Sequence, residues 1–408
     1  MPRVVWLVRD FLTPRIWRIA LNRRLFSIAA CFVALFGMIV TAAAAQAPAA
    51  PEDRGAGVMT AFARAGHLKR GINASMWFAQ HSGHYEAEDT DKYIDAADFA
   101  LMAKMGFDNV RISIDATPLI AWSQGRKDGV DFMARLDRAV DGMVADGLAV
   151  QIDLHPEEPF KLALRTGNEG VERTAMLWQK VAAHFSNRDP EMVFFEIMNE
   201  PEVGDPYRWA GIQSRIAGAI REVAPKHTII ATGPNYSDLQ DLLTQQPLAD
   251  GNVIYNFHFY NPHEFTHQGA GWGVPWWTYT HGIPYPATEA AMQDLLKQVP
   301  YPADRAQLER YWLDHWDAHR IKLLMDEAAA WGRTNRVPLI CNEFGVFRDH
   351  SDPQSRANWI HDMRVAFEAD GIGWTMWDYR GNFGVVTKED GQPAQVDEKT
   401  AEALGLKK

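Results

Sequence analysis

The sequence predicts an α/β protein, a closed (β/α)8 barrel (TIM barrel) forming a single catalytic domain. Three observations predict it. From residue 66 onward the chain repeats a short apolar strand, a polar end and a helical stretch eight times, the alternation that parallel strands joined by helical crossovers require. Each apolar run ends in residues suited to chemistry, as expected where barrel strands open into a site at their carboxyl ends. No Gly-rich phosphate-binding turn follows any strand, which disfavours an open doubly wound sheet.

The candidate strands are Arg70–Asn73, Asn109–Ile114, Ala149–Leu154, Met192–Met198, Thr228–Thr232, Val253–Phe257, Val337–Cys341 and Ile372–Met376. Helical stretches are expected at Tyr93–Met105, Met133–Asp146 and Ala306–Trp331; in the last, Leu308, Trp312, His315, Trp316, His319 and Leu323 recur at near-helical spacing. The barrel domain is placed at 63–400. Ahead of it, residues 46–62 are rich in Pro, Ala and Gly and read as a linker.

Residues 1–45 read as a signal peptide. Arg23-Arg24 leads into an apolar stretch, Ile28–Val40, followed by small residues Thr41–Ala45. The arginine pair is similar to a twin-arginine export signal, although Asn22 stands where Ser or Thr is usual. An uncleaved membrane anchor is the rival, since Leu25–Ala45 is nearly long enough to span a bilayer. A secreted or periplasmic protein is expected, touching membrane only if this segment is retained.

The chain of 408 residues is 47% hydrophobic and 23% charged, an ordinary globular balance. Its net charge is −11; residues 1–45 hold six Arg and one Asp, a net of +5, so the remainder carries −16. That argues against nucleic acid as a partner and suits a neutral substrate. Cys31 and Cys341 are the only cysteines. Cys341 lies in an apolar run with no activating partner evident, so it is expected to be a small core residue.

Strand two carries Arg111, and the strand ends that follow carry Asp153-Leu154-His155, Asn199-Glu200-Pro201, His258-Phe259-Tyr260, Asn342-Glu343-Phe344-Gly345 and Trp377. A lone Glu after a strand is usually structural. Two, after strands four and seven, with His, Tyr, Arg and Trp converging from other strands, are hard to explain as packing. Paired carboxylates can bind a metal, share a proton, or divide acid and nucleophile roles. A metal would draw on His155, His258, Glu200 and Glu343, but no compact ligand motif such as His-Glu-x-x-His occurs. No metal and no cofactor are expected. In the glycosidase reading one carboxyl stays protonated to serve the leaving oxygen, and the other stays ionised to attack the anomeric carbon.

Ile197-Met198-Asn199-Glu200-Pro201 and Ile340-Cys341-Asn342-Glu343-Phe344-Gly345 resemble the two signatures of glycoside hydrolase family 5, the cellulase family. The match runs through Arg70-Gly71-Ile72-Asn73, Asn109-Val110-Arg111-Ile112-Ser113, Asp153-Leu154-His155, His258-Phe259-Tyr260 and Trp374-Thr375-Met376-Trp377, covering most of 66–385. The resemblance implies a retaining double displacement with Glu343 as nucleophile and Glu200 as general acid/base. It implies that Arg111 and Tyr260 hold Glu343, that Asn199 bonds the sugar 2-hydroxyl, and that His155 and His258 bond substrate or orient the carboxylates. Trp377 would stack beneath the reacting sugar. Pro156-Glu157-Glu158 departs from the family's usual polar contact after that His.

The segment Asn261–Trp272 resembles the corresponding loop of bacterial endo-β-1,4-glucanases, some of which accept mannan. Trp77, Trp272, Trp276, Trp277 and Trp377 are candidate sugar platforms, because flat aromatic faces suit the axial C–H faces of sugar rings. Trp178, Trp316 and Trp331 are expected in the core. The expected function is a secreted endo-β-1,4-glucanase acting on β-glucan poly- or oligosaccharide. A β-mannanase or other β-glucanase of the same family, or a catalytically silent carbohydrate-binding barrel, is the alternative.

Overall fold

The structure is a computed structural model, and it describes residues 51–81, 85–299 and 301–407. The expected signal peptide, and residues 46–50 of the expected linker, lie outside the described residues.

Eight parallel strands close a barrel in sequence order, β1 (Arg70–Phe78), β2 (Asn109–Ile114), β3 (Ala149–Leu154), β4 (Val193–Glu196), β5 (Ile229–Thr232), β6 (Val253–His258), β7 (Leu339–Glu343) and β8 (Gly373–Met376). β2 and β3 run over the residues expected. β1 runs longer, through a register shift between Ala74 and Phe78 where Met76 takes a left-handed φ of 53°.

Alternation along each strand sorts residues between the helices outside and the barrel interior. Val150, Ile152 and Leu154 of β3 join the large apolar layer under the helices. Ala149, Phe194, Ile230, Ile254 and Ile340 form a separate apolar cluster with Ala61 and Leu68. Above it the interior turns polar: Gln151 Nε2 donates to Asn109 Oδ1 at 2.7 Å and to Thr375 Oγ1 at 3.2 Å. Gly71 is required beside this layer, because a Cβ there would come within 2.3 Å of Asn109 Oδ1.

Residues 51–62 of the expected linker are not extended. They belong to α1 (Pro51–Ala65), whose Ala61 is fully buried against the floor of the barrel. The Pro/Ala/Gly composition concealed one helix signal, a spacing of four between Ala61 and Ala65, which both pack on the floor cluster. At the other end the fold runs past 400, since the helix Glu398–Ala403 buries Ala401 and Ala403, and Leu404 and Leu406 follow it inward.

Two expected helices are divided. The 93–105 stretch is Ala87–Tyr93 and Ala96–Met105, separated by Asp95, whose side chain forms a capping box with Asp98. The 306–331 stretch is Pro302–Leu313 and Ala318–Asn335. The break lies where His315 adopts a φ of 49° and Asp317 accepts from the Arg320 amide at 2.9 Å. The 133–146 helix begins earlier, at Lys127. Among the described residues no helix is long and apolar enough to cross a membrane.

Candidate active site at the carboxyl ends of the strands

Arg111, on β2, is the centre of the site. It is completely buried. Its Nε and Nη2 grip Glu196 of β4 in a two-pronged pair at 2.7 and 2.8 Å. Its Nη1 donates to Glu343 Oε1 at 2.6 Å and to Asn73 Oδ1 at 3.0 Å, and Nη2 donates to Asn199 Oδ1 at 3.0 Å. Burial opposes its charge, but Asp153, Glu196 and Glu343 together hold it well above the ordinary guanidinium range. A buried cation that serves several acceptors fixes all of them, because none can leave without exposing a charge to a poorly polarisable interior.

Glu343 belongs to β7 itself, two residues beyond the expected strand end. A register shift pairs His258 with Glu343 where Phe257 pairs with Cys341, so Asn342 is an extra residue. Asn342 and Glu343 can thereby both reach into the interior. Asn342 Nδ2 donates to Glu196 Oε2 at 2.8 Å, and Glu343 Oε2 accepts from the Tyr260 hydroxyl at 3.0 Å. Gly345 follows because a Cβ there would meet the Trp377 carbonyl oxygen at 2.3 Å. Cys341 is buried and burial pushes its thiol up, as expected of a core residue.

Glu200 lies four residues past the end of β4 with a φ of 42°, a region that disfavours residues carrying a Cβ. Its Oε1 lies 3.0 Å from His258 Nδ1, and the same nitrogen is 3.4 Å from Glu343 Oε2. Burial raises the Glu200 pKa, with Lys161, His155 and Arg111 opposing in that order. Burial lowers His258 to about 4, so its ring is neutral, and a proton on Nδ1 is directed to Glu200 Oε1. Glu200, His258 and Glu343 are spaced so that one atom of each lies within 4.8 Å of the others. Among the described residues this is the group a cation could bridge. Arg111, Tyr260 and His258 already turn donors toward these carboxylates, a setting built for anions.

His155 follows β3. Its Nδ1 lies 2.9 Å from Asp153 Oδ2, its Nε2 lies 3.2 Å from Asn199 Nδ2, and Trp377 stacks on it at 5.9 Å. Burial lowers its pKa to about 3.

The expected site residues Arg111, His155, Asn199, Glu200, His258, Tyr260, Glu343 and Trp377 are thus joined in one cluster by a chain of contacts. The tryptophans divide. Trp272 is 48% exposed on the loop after β6, edge-on to Phe347 and near Phe383. Trp276 is half-buried against the core. Trp277 is buried, with its ring parallel to His263, and a Cβ on Gly273 would strike it at 2.4 Å. Its faces are taken by the loop that carries it, so it braces the loop and offers no open platform. Trp77 is also a correction: it is buried against Phe78, and its Nε1 donates to Thr90 O at 2.8 Å. Trp178 and Trp316 are buried as expected, and Trp331 is half-buried against Tyr255.

Sequence reasoning missed Glu196 and Lys161. Glu196 was visible as one acid in the apolar run Val193–Met198, which only a buried counter-charge explains. Lys161 lies on the helix Glu158–Thr166 that the unusual Pro156-Glu157-Glu158 segment opens, buried and 3.3 Å from Glu202. The large clefts beside α1, each about 660 Å³, lie at the opposite end of the barrel and contain none of these residues.

Residues 72–383 match the model of the cellulase family, glycosyl hydrolase family 5. The chain is 26% identical to Endoglucanase C of Acetivibrio thermocellus over 340 residues, covering 81% of this chain and 96% of that one. It is 27% identical to Endoglucanase 3 of Fibrobacter succinogenes over 339 residues, covering 78% of this chain but only 50% of the relative. Among solved structures, an endoglucanase of Thermotoga maritima aligns with a TM-score of 0.65 at 26% identity, over 84% of this chain and 99% of that one. The same enzyme has been solved in complex with mannotriose.

Proposed function

The chain belongs to the cellulase family, glycosyl hydrolase family 5, and is a glycoside hydrolase; from that premise we propose that it is an exported, retaining endo-β-1,4-glucanase. The observation that carries the proposal is the pair Glu200 and Glu343, one carboxyl oxygen of each lying within 4.8 Å of the other, Glu200 beside His258 and Glu343 against Arg111 and Tyr260. Retaining enzymes keep their carboxyls roughly 5–5.5 Å apart, whereas inverting enzymes need room for a water between them.

Glu343 faces Arg111 and Tyr260, both donors, and attacks the anomeric carbon as a carboxylate. Burial raises the Glu200 carboxyl, which favours its protonated form, and Glu200 gives its proton to the leaving oxygen as the glycosidic C–O bond breaks. In the second step Glu200 takes a proton from water, whose oxygen displaces Glu343 from the glycosyl-enzyme. Asn199, oriented by Arg111 and His155, meets the 2-hydroxyl, a contact that strengthens in the transition state. Trp377 and Trp272 offer partly open rings to sugars.

The glucan reading draws on the endoglucanase names of the relatives. A second reading, mannan or glucomannan, is favoured by the mannotriose complex of the Thermotoga maritima enzyme. Export rests on Arg23-Arg24 and the apolar stretch that follows; a mature terminus found near Gln46 would support it, and recovery of the whole chain in membranes would oppose it.

The test separates the two glutamates. Glu343→Ala should lose on the order of 10⁵-fold in turnover, the scale of removing a covalent nucleophile. Glu200→Ala should lose about 10²–10⁴-fold on glucan yet still release dinitrophenol, and azide should restore turnover as a β-glycosyl azide. Azide rescue of Glu343→Ala as an α-glycosyl azide, with none for Glu200→Ala, reverses the roles.

A further inference from the structure

Asp153 reaches the reaction centre only through its neighbours. Its Oδ2 lies 2.9 Å from Arg111 Nη2 and 2.9 Å from His155 Nδ1. His155 Nε2 lies 3.2 Å from Asn199 Nδ2, and Asn199 Oδ1 accepts from the same Arg111 Nη2 at 3.0 Å. Four side chains therefore close a ring, Arg111–Asp153–His155–Asn199, all of them buried.

Only one arrangement of protons satisfies the ring. Arg111 can only donate, so Asn199 must turn its carbonyl oxygen to Arg111 and its amide nitrogen to His155. His155 Nε2 must then accept, which puts the ring proton on Nδ1, facing Asp153 Oδ2. We propose that Asp153 is a positioning residue that fixes the His155 tautomer and, through it, the rotation of the Asn199 amide that meets the sugar 2-hydroxyl. The proposal rests on the glycosidase reading for the role of Asn199, while the tautomer follows from the ring alone.

Two observations support it. His155 is neutral, its pKa lowered to about 3 by burial, so one ring nitrogen is free to accept. Burial pushes Asp153 up to about 7 against the pull of Arg111, and its Oδ1 has no partner. Whether ionised or carrying a proton on Oδ1, Asp153 still offers Oδ2 as acceptor, so the ring survives either state. Trp377 stacks on the imidazole, so the same anchor steadies the floor beneath the sugar.

The tautomer is read directly, in the parent protein, from nitrogen-15 shifts of its labelled histidines. His155 should carry its proton on Nδ1; a proton on Nε2 overturns the proposal. Asp153→Ala should lower the glycosylation rate on dinitrophenyl cellobioside by about 10²-fold, the scale of a misplaced contact. Asp153→Asn, which keeps an acceptor toward Nδ1, should recover most of it. The decisive readout is the 2-deoxy-2-fluoro analogue of that substrate, which offers no hydroxyl to Asn199. Asp153→Ala should cost far less on the analogue than on the parent substrate. An equal loss on both means general disruption and overturns the proposal. If the parent protein cleaves neither substrate, the glycosidase reading fails, yet the tautomer measurement still decides the ring.

Discussion

The two ends of the barrel interior use the same eight strands for opposite ends. At the floor, Ala149, Phe194, Ile230, Ile254 and Ile340 meet Ala61 and Leu68 in an apolar cluster. At the mouth, two residues on along β4, and three on along β7, Glu196 and Glu343 converge on Arg111. The floor gains from removing apolar surface from water and is indifferent to the identity of each partner. The mouth gains only if each charge meets its particular counterpart, since a buried carboxylate without one is expensive. Stability is therefore cheaply secured at one end, and chemistry is confined to the other.

The largest test of that contrast is Arg111→Met. It strands Asp153, Glu196 and Glu343 without their shared cation. Activity should fall by at least about 10³-fold, the scale of losing a charge aimed at the reacting groups. Unfolding free energy should also drop, by about 3–5 kcal/mol. Denaturant titration and steady-state kinetics read the two effects; near-parent stability would mean that the mouth is less tightly coupled than its geometry implies.

Phe194→Ala should cost about 3–5 kcal/mol through the cavity it leaves on the floor. Its kcat at a temperature where it remains folded should match the parent. A comparable loss of kcat would show that the floor transmits to the site.

A pH profile sharpens the mouth further. Burial raises Glu200, and a general acid fails as pH climbs through its pKa, so the basic limb of kcat/KM should lie above the ordinary carboxylate range. The Lys161 charge opposes that rise, so Lys161→Met should move the limb to higher pH; an unmoved limb would mean that Glu202 neutralises Lys161 fully. The smallest effect is expected at the rim. Trp272→Ala should forfeit a stack of about 1 kcal/mol, raising KM about 5-fold with kcat little changed. An unchanged KM on long oligosaccharides would remove Trp272 from the cleft.

The mouth was more legible than the floor. Glu200, Glu343 and His155 announce themselves because polar residues after apolar runs need a reason, and Arg111 because a charge within an apolar strand needs one. α1 did not, because its Pro, Ala and Gly content suits a linker as well as a helix that buries small residues against a barrel end. The tryptophans mark the limit most clearly. Trp77, Trp272 and Trp277 are the same residue type, yet one lies in the core, one stands half in solvent and one braces its own loop.

By itself the sequence determined the eight-stranded barrel and the chemistry-bearing residues on strands two, three, four, six, seven and eight, because these follow from local periodicity and side-chain chemistry. Only the tertiary structure decided that Glu196 belongs to Arg111, that a bulge in β7 turns Glu343 inward beside Asn342, and that Glu200 sits at a left-handed φ facing His258. Those are relations between residues up to 232 positions apart. They are set by strand register and burial, and periodicity along one segment carries no information about the field that another segment supplies.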